Sequence, residues 1–230
     1  MRKRQTQRFT IESTSLVEQK LELAKGLHRF PSNAFGSVRE LLHPVNVREW
    51  DTLMVACSEL GTAPDNVSFR TPNRCVILQH LAASIPSSRE CANIDGLAFD
   101  DVEALFDKYD FRHVIICGHL HCGVIRSWLG PPPKDCSDIG SFWARFEEGT
   151  LELVNSIYRT DTFEQRLTLM VCEYVLCQLD NLLTHPFLAD RVQKERTKLH
   201  GWVLDDDSAR VFGYSPQESA FLLTYPQSLQ

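Results

Sequence analysis

His113-Val-Ile-Ile-Cys117-Gly118-His119-Leu120-His121-Cys122-Gly123 is the stretch that decides how this chain is read. It opens as an apolar run of strand length and then turns at two glycines. A run that is apolar nearly throughout, without polar alternation, marks a strand covered on both faces of a parallel sheet. Thr52-Leu-Met-Val-Ala-Cys57 and Cys75-Val-Ile-Leu-Gln79 have the same character. Between the second and third of these runs lies Phe99-Asp-Asp-Val-Glu-Ala-Leu-Phe-Asp-Lys-Tyr109, an amphipathic helix by its spacing. Strands alternating with helices predict an α/β fold around a parallel sheet.

Outward from this centre, residues 12–43 carry helical patterning through Leu16, Leu21, Leu23, Leu27, Phe30, Phe35, Val38, Leu41 and Leu42. Pro31 divides that stretch into at least two helices. Residues 142–158 and 163–184 also read as helices, the second with Leu167, Met170, Val171, Tyr174 and Cys177 on one face. Leu199-His-Gly-Trp-Val-Leu204 reads as a last core strand, Asp205–Ser208 as a turn, and Arg210–Tyr214 as the return from it. Pro131–Asp135 is a surface loop. The predicted organisation is an N-terminal helical arm over residues 1–50, an α/β domain over 51–214, and a C-terminal tail over 215–230.

A chain of 230 residues suits one domain with a real core. Its longest apolar runs fall far short of the roughly 18–20 residues a membrane helix needs. The basic start, Met1 to Arg8, is followed by no hydrophobic stretch of the secretory kind, so a cytoplasmic location is expected. The net charge of -6 and the lack of a basic stripe interleaved with aromatics argue against nucleic acid as a partner. The cysteines at 57, 75, 91, 117, 122, 136, 172 and 177 do not read as a disulfide framework in such a chain. Cys75, Cys117, Cys172 and Cys177 sit in apolar or helical patterns and read as small core residues.

Two loops escape that reading. Cys57-Ser58-Glu59-Leu60-Gly61 follows the first strand, and Gly118-His119-Leu120-His121-Cys122-Gly123 closes the third. Open parallel sheets bind ligands at the carboxyl ends of their strands, where both loops lie. His119-x-x-Cys122 offers an imidazole and a thiolate on one tight turn, and Cys57 a second thiolate. Two sulfurs and one nitrogen suit zinc, with a fourth position open or taken by a carboxylate. His-x-x-Cys alone is weak evidence; the glycines, the preceding strand and the partner cysteine on another strand strengthen it.

Val114-Ile-Ile-Cys-Gly-His-Leu-His-Cys-Gly-Val124 closely resembles the zinc-binding segment of the β-class carbonic anhydrases. Met54–Ser58 resembles the family's first zinc-ligand strand, Pro72–Pro86 its second-strand segment, Val171–Pro186 its long C-terminal helix, and His200–Leu204 its last core strand. Asn33-Ala-Phe35 falls where members carry an Asn-aromatic segment. The likeness covers about residues 25–214. It implies a four-stranded parallel sheet flanked by helices, and dimers or larger homo-oligomers whose N-terminal helices embrace the partner. It also implies a zinc cofactor on Cys57, His119 and Cys122, and reversible hydration of carbon dioxide to bicarbonate by zinc-bound hydroxide.

The chain also departs from this family. Members carry Cys-x-Asp-x-Arg in the first loop, where the Arg holds an Asp that faces the zinc-bound water. Here the positions are Glu59 and Gly61. Losing an Arg–carboxylate pair is not conservative. Glu59 is expected either to serve as the catalytic carboxylate or, unrestrained, to swing onto the metal as a fourth ligand. The family's Arg-Asn-Ala-Gly-Asn pocket segment has become Gln79-His80-Leu81-Ala82-Ala83, bulkier and more apolar. A pocket Gln of the family is replaced near Arg48.

His80 could supply a lost pocket group or be a hydrogen-bonded histidine at a strand end. His121 could shuttle protons, or face solvent or the dimer partner. Asp100 and Asp101 read as a helix start, and His28, His43 and His185 as surface or capping groups. Three readings stand: a zinc lyase for carbon dioxide, an inactive zinc protein of the same fold with a structural or bicarbonate-responsive role, and a hydrolase of carbonyl sulfide or carbon disulfide.

Overall fold

The computed structural model describes residues 9–10, 20–37, 41, 50–60, 75–91, 99–130, 149–208 and 210–224. In chain order the strands are β1 (Phe9–Thr10), β2 (Lys20–Glu22), β3 (Thr52–Cys57), β4 (Cys75–His80), β5 (His113–His119), β6 (Tyr158–Arg159), β7 (Lys198–Asp205), β8 (Arg210–Ser215) and β9 (Ala220–Leu223). The helices are α1 (Ser88–Cys91), α2 (Phe99–Lys108), α3 (Gly123–Leu129), α4 (149–157), α5 (Phe163–Leu183) and α6 (Pro186–Gln193). Short 3₁₀ turns follow β3 at Ser58–Leu60 and β4 at Leu81–Ala83.

The α/β expectation holds, with one correction of size. Strands β4, β3, β5 and β7 form the expected four-stranded parallel core. The sheet continues through antiparallel β8, β9 and β2 to seven strands, in the order β2-β9-β8-β7-β5-β3-β4. The added strands fall outside the reach of the sequence pattern because β2 and β9 are three and four residues long. Ala220–Leu223 lies in the segment read as a tail. The helical reading of 12–43 fails over residues 20–37, which hold β2 and turns around Gly26 and Pro31. Within 142–158, residues 149–157 are helical and Tyr158 opens a short strand paired with β1. Arg48, Gly61, His43 and Pro131–Asp135 lie outside the described residues.

Every residue of β3 and of β5 is buried, as the unbroken apolar runs require. Leu53, Val55 and Cys57 face a large core built on α5, while Met54 and Ala56 face a second cluster with Leu41, Ile115, Cys117, Trp202 and Leu204. Helix α5 starts at a capping box, Thr162 with Gln165, which satisfies two of its orphan N–H donors. It packs so closely on β5 that a Cβ at Gly118 would stand 2.8 Å from Val175 Cγ2. No helix among the described residues is long and apolar enough to cross a membrane.

His28, read as a surface or capping group, has its side chain only 6% exposed. Its Nε2 lies 2.7 Å from Glu173 and its Nδ1 2.5 Å from Asp180, both on α5. Tyr158 donates to the other oxygen of Glu173 and accepts from the Ala24 amide. Burial opposes charge on the ring, but the carboxylates of Asp180 and Glu173 outweigh it and raise its pKa to about 9. The segment after β2 is therefore fastened to α5 by a part-buried ionic cluster. His185 sits at the start of α6, as a capping position was expected, but is buried, with Nε2 2.9 Å from the Pro86 carbonyl.

Candidate metal centre

Strands β3 and β5 are parallel neighbours in register, Ala56 opposite Cys117, so their carboxyl ends lie side by side. Cys57 ends the first and His119 the second. The chain then turns, the Cys122 amide donating to the His119 carbonyl at 3.3 Å, and Cys122 arrives at the start of α3. The Ser58–Leu60 turn brings Glu59 over the same point. The donor atoms of Cys57, Glu59, His119 and Cys122 all lie within 4.8 Å of one another. The sequence placed these residues together, and the structure brings them together.

The cluster has the marks of a metal-binding set. The two sulfurs are 3.8 Å apart and both cysteines are almost fully buried. His119 is 3% exposed, and its Nε2 is a buried polar atom without a hydrogen-bond partner. A buried imidazole nitrogen left unpaired is costly unless something binds it. Two thiols and an imidazole suit zinc in type and number.

Charge is divided within the set. The Cys122 thiol, donating to Cys57, holds the Cys57 sulfur well below the usual thiol range, at about 5; His119 and the Glu59 amide add to this against the effect of burial. The Cys122 thiol is pushed up by its charged neighbour Cys57 and by burial. Burial disfavours charge on His119, but Asp206 and Cys57 outweigh it and raise its pKa to about 9. Metal ligation needs the thiolate and neutral imidazole forms, so uptake of a cation here releases protons.

Glu59 has main-chain partners. Its Oε2 accepts the Gly123 N–H at 2.6 Å and that of Val124 at 3.4 Å, and stands 3.9 Å from His119 Nε2. The first amides of α3 thus hold the carboxylate. A side chain at 123 would obstruct this, because a Cβ there would lie 2.9 Å from Glu59 Oε1.

The segment 79–83 is divided. The Leu81–Ala83 turn packs against Ser58–Leu60, β3, β5 and α3, beside the cluster. Ala82 and Ala83 are buried there with φ of 54° and 56°, a left-handed conformation that strains a non-glycine residue. Leu81 and Gln79 are exposed. His80 Nδ1 pairs with the Ser84 carbonyl at 3.1 Å, the plain role of a histidine at a strand end. His121 is 38% exposed and faces Asp206 and Asp207 at 4.0 and 3.6 Å.

Sequence reasoning missed Asp206, read only as part of a turn. Its Oδ2 is 2.6 Å from His119 Nδ1. The available signal was three acidic residues leaving the carboxyl end of β7, the strand paired with β5 on the side away from β3.

Comparison with known proteins agrees with this geometry. The carbonic anhydrase family model matches residues 52–211. The chain is 25% identical over 191 residues to a carbonic anhydrase of Pseudomonas aeruginosa, covering 83% of this chain and 85% of that protein. It is 26% identical over 203 residues to carbonic anhydrase 1 of Escherichia coli O157:H7, covering 87% and 90%. Among solved structures, the β-carbonic anhydrase CcaA superposes with a TM-score of 0.65 at 22% identity, over 76% of this chain and 85% of that one. One of two tetrameric β-carbonic anhydrases from the ascomycete Sordaria macrospora superposes at 0.57 and 14% identity, over 73% and 84%.

Proposed function

This chain belongs to the β-class carbonic anhydrase family, and from that premise we propose that Cys57, His119 and Cys122 hold one zinc ion and that the chain interconverts carbon dioxide and bicarbonate. The observation that carries the proposal is the buried His119 Nε2, unpartnered and facing two sulfurs 3.8 Å apart. Zinc, when bound, brings the pKa of a coordinated water to about 7 and so supplies a nucleophile at neutral pH.

The chain's own residues do the rest. Cys57 and Cys122 neutralise the cation, and the short turn from His119 to Cys122 fixes two ligands on one peptide loop. Glu59 takes the part of the family's catalytic Asp. Its Oε2 is occupied by the Gly123 N–H, which leaves Oε1 to orient the nucleophile or receive its proton. The Leu81–Ala83 turn lines the site with the apolar Ala82 and Ala83, which suits a linear apolar substrate. Gln79 and His80 complete the rim of the pocket in this reading.

The placement of Glu59 supports a second reading. Glu59 belongs to the same donor group, with Oε2 3.9 Å from His119 Nε2, so a small shift would bring it onto the ion, and a fourth protein ligand closes a zinc site as structural sites are closed. In that reading the chain keeps zinc for its fold and turns over little. Stopped-flow hydration of carbon dioxide on chain of known zinc content separates the two. One zinc per chain with hydration above background supports the lyase. One zinc per chain without hydration supports the closed site, and no zinc sinks both.

A homo-oligomer, at least a dimer, is part of the proposal; sedimentation velocity tests it. Reduced thiols at the centre fit a cytoplasmic site of action.

A further inference from the structure

We propose that Asp206 is a positioning residue for the metal: it fixes the tautomer and the plane of His119 so that Nε2 alone is presented to the ion. The inference rests on the zinc reading above and adds a residue from a third strand end. Asp206 leaves the carboxyl end of β7, whose Leu204 pairs with His119 itself. The Leu120 amide donates to the Leu204 carbonyl at 2.9 Å, so the backbone locks the two strand ends together before either side chain is considered.

A carboxylate only accepts hydrogen bonds, so an Oδ2–Nδ1 distance of 2.6 Å places the proton on Nδ1. In the neutral ring the lone pair then sits on Nε2, the buried atom that lacks a hydrogen-bond partner and faces the sulfurs. Without Asp206 the other tautomer becomes accessible, and the ring loses the carboxylate that holds its far edge. Carboxylate partners of this kind also increase the basicity of a metal-bound imidazole. Asp207, next in the turn, makes a useful contrast. Its side chain is 84% exposed and faces His121 at 3.6 Å. It carries the same charge without the same contact.

The test is zinc affinity, measured on the full chain by competition with a chromophoric chelator. Asp206→Ala is expected to weaken zinc binding about 10–100-fold, the usual effect of removing an outer-shell partner. Asp206→Asn, which keeps an acceptor oxygen toward Nδ1–H, should recover most of that loss. Asp207→Ala should stay within about 2-fold of wild type. An Asp206→Ala affinity within 2-fold of wild type overturns the proposal, and so does an equal loss in Asp207→Ala, which would mean that only net charge matters. Wild-type chain that takes up no zinc sinks the reading of the site itself and this inference with it. Should Asp206→Ala not fold, histidine-ring nitrogen NMR of the wild-type zinc protein decides: Nδ1 protonated and Nε2 metallated supports the proposal, and metal on Nδ1 overturns it.

Discussion

The backbone N–H of Gly123 donates to the Glu59 carboxylate at 2.6 Å. This contact replaces a side chain with a main chain. The first amides of α3 hold the carboxylate, with glycine at 123 leaving room for it.

Rebuilding the family's pair should therefore change turnover. Glu59→Asp with Gly61→Arg is expected to raise kcat/KM for carbon dioxide hydration by about 10-fold or more, in the range that removing or supplying a charge-stabilising contact gives. Stopped-flow rates on variants of equal zinc content check it. No gain would place the block in the Gln79–Ala83 wall.

The backbone of that wall is strained, and substitution there has a definite sign. Ala82→Val should destabilise the chain by roughly 2 kcal/mol or more, since a β-branched side chain at φ 54° is worse than alanine and the site is fully packed. Ala82→Gly should stay within about 1 kcal/mol of wild type, relief of strain offsetting the lost methyl and the entropy of glycine. Urea unfolding midpoints read both. Equal effects from the two variants would contradict the left-handed assignment.

Much of the site was legible because its signals are local. His119 and Cys122 lie within one turn, and Cys57 ends a run whose apolar character alone marks it as a buried strand. Asp206 was not legible, because its contact with His119 spans 87 residues and depends on β7 lying beside β5. His28 was hidden for the same reason: its partners lie 145 and 152 residues on. Leu21, Leu23 and Leu27 have helix-like spacing, yet Leu21 pairs with Phe221 in the sheet, a tertiary contact that overrides the local pattern.

The His28 cluster makes stability depend on pH in a fixed direction. The ring's pKa rises from 6.5 to about 9 on folding. The folded state therefore binds the proton more tightly. The stabilisation is complete below about pH 6.5 and is lost as pH rises through 9. Its full size is on the order of 3 kcal/mol. The stability gap between wild type and His28→Gln should narrow between pH 6.5 and 9.5 in urea titrations. A constant gap would contradict the buried ion pair.

Removing the metal should loosen the whole chain, since an ion on the proposed ligands would link β3, β5 and α3 and its binding energy would be folding energy. Treatment with dipicolinate is expected to cost about 3 kcal/mol or more, a fall in Tm of roughly 6–12 °C for a chain of this size. Cys57→Ser chain should begin at the lower Tm and respond little to the chelator. A wild-type Tm indifferent to chelation would argue against a metal that supports the fold.

The central claim is a centre with two cysteine sulfurs and one histidine nitrogen, its fourth position contested by Glu59. Zinc K-edge X-ray absorption on the purified chain addresses it most directly. The account predicts four-coordinate zinc with two sulfurs at about 2.3 Å and two nitrogen or oxygen donors at about 2.0–2.1 Å. A shell of light atoms without sulfur, or four sulfurs, would contradict it.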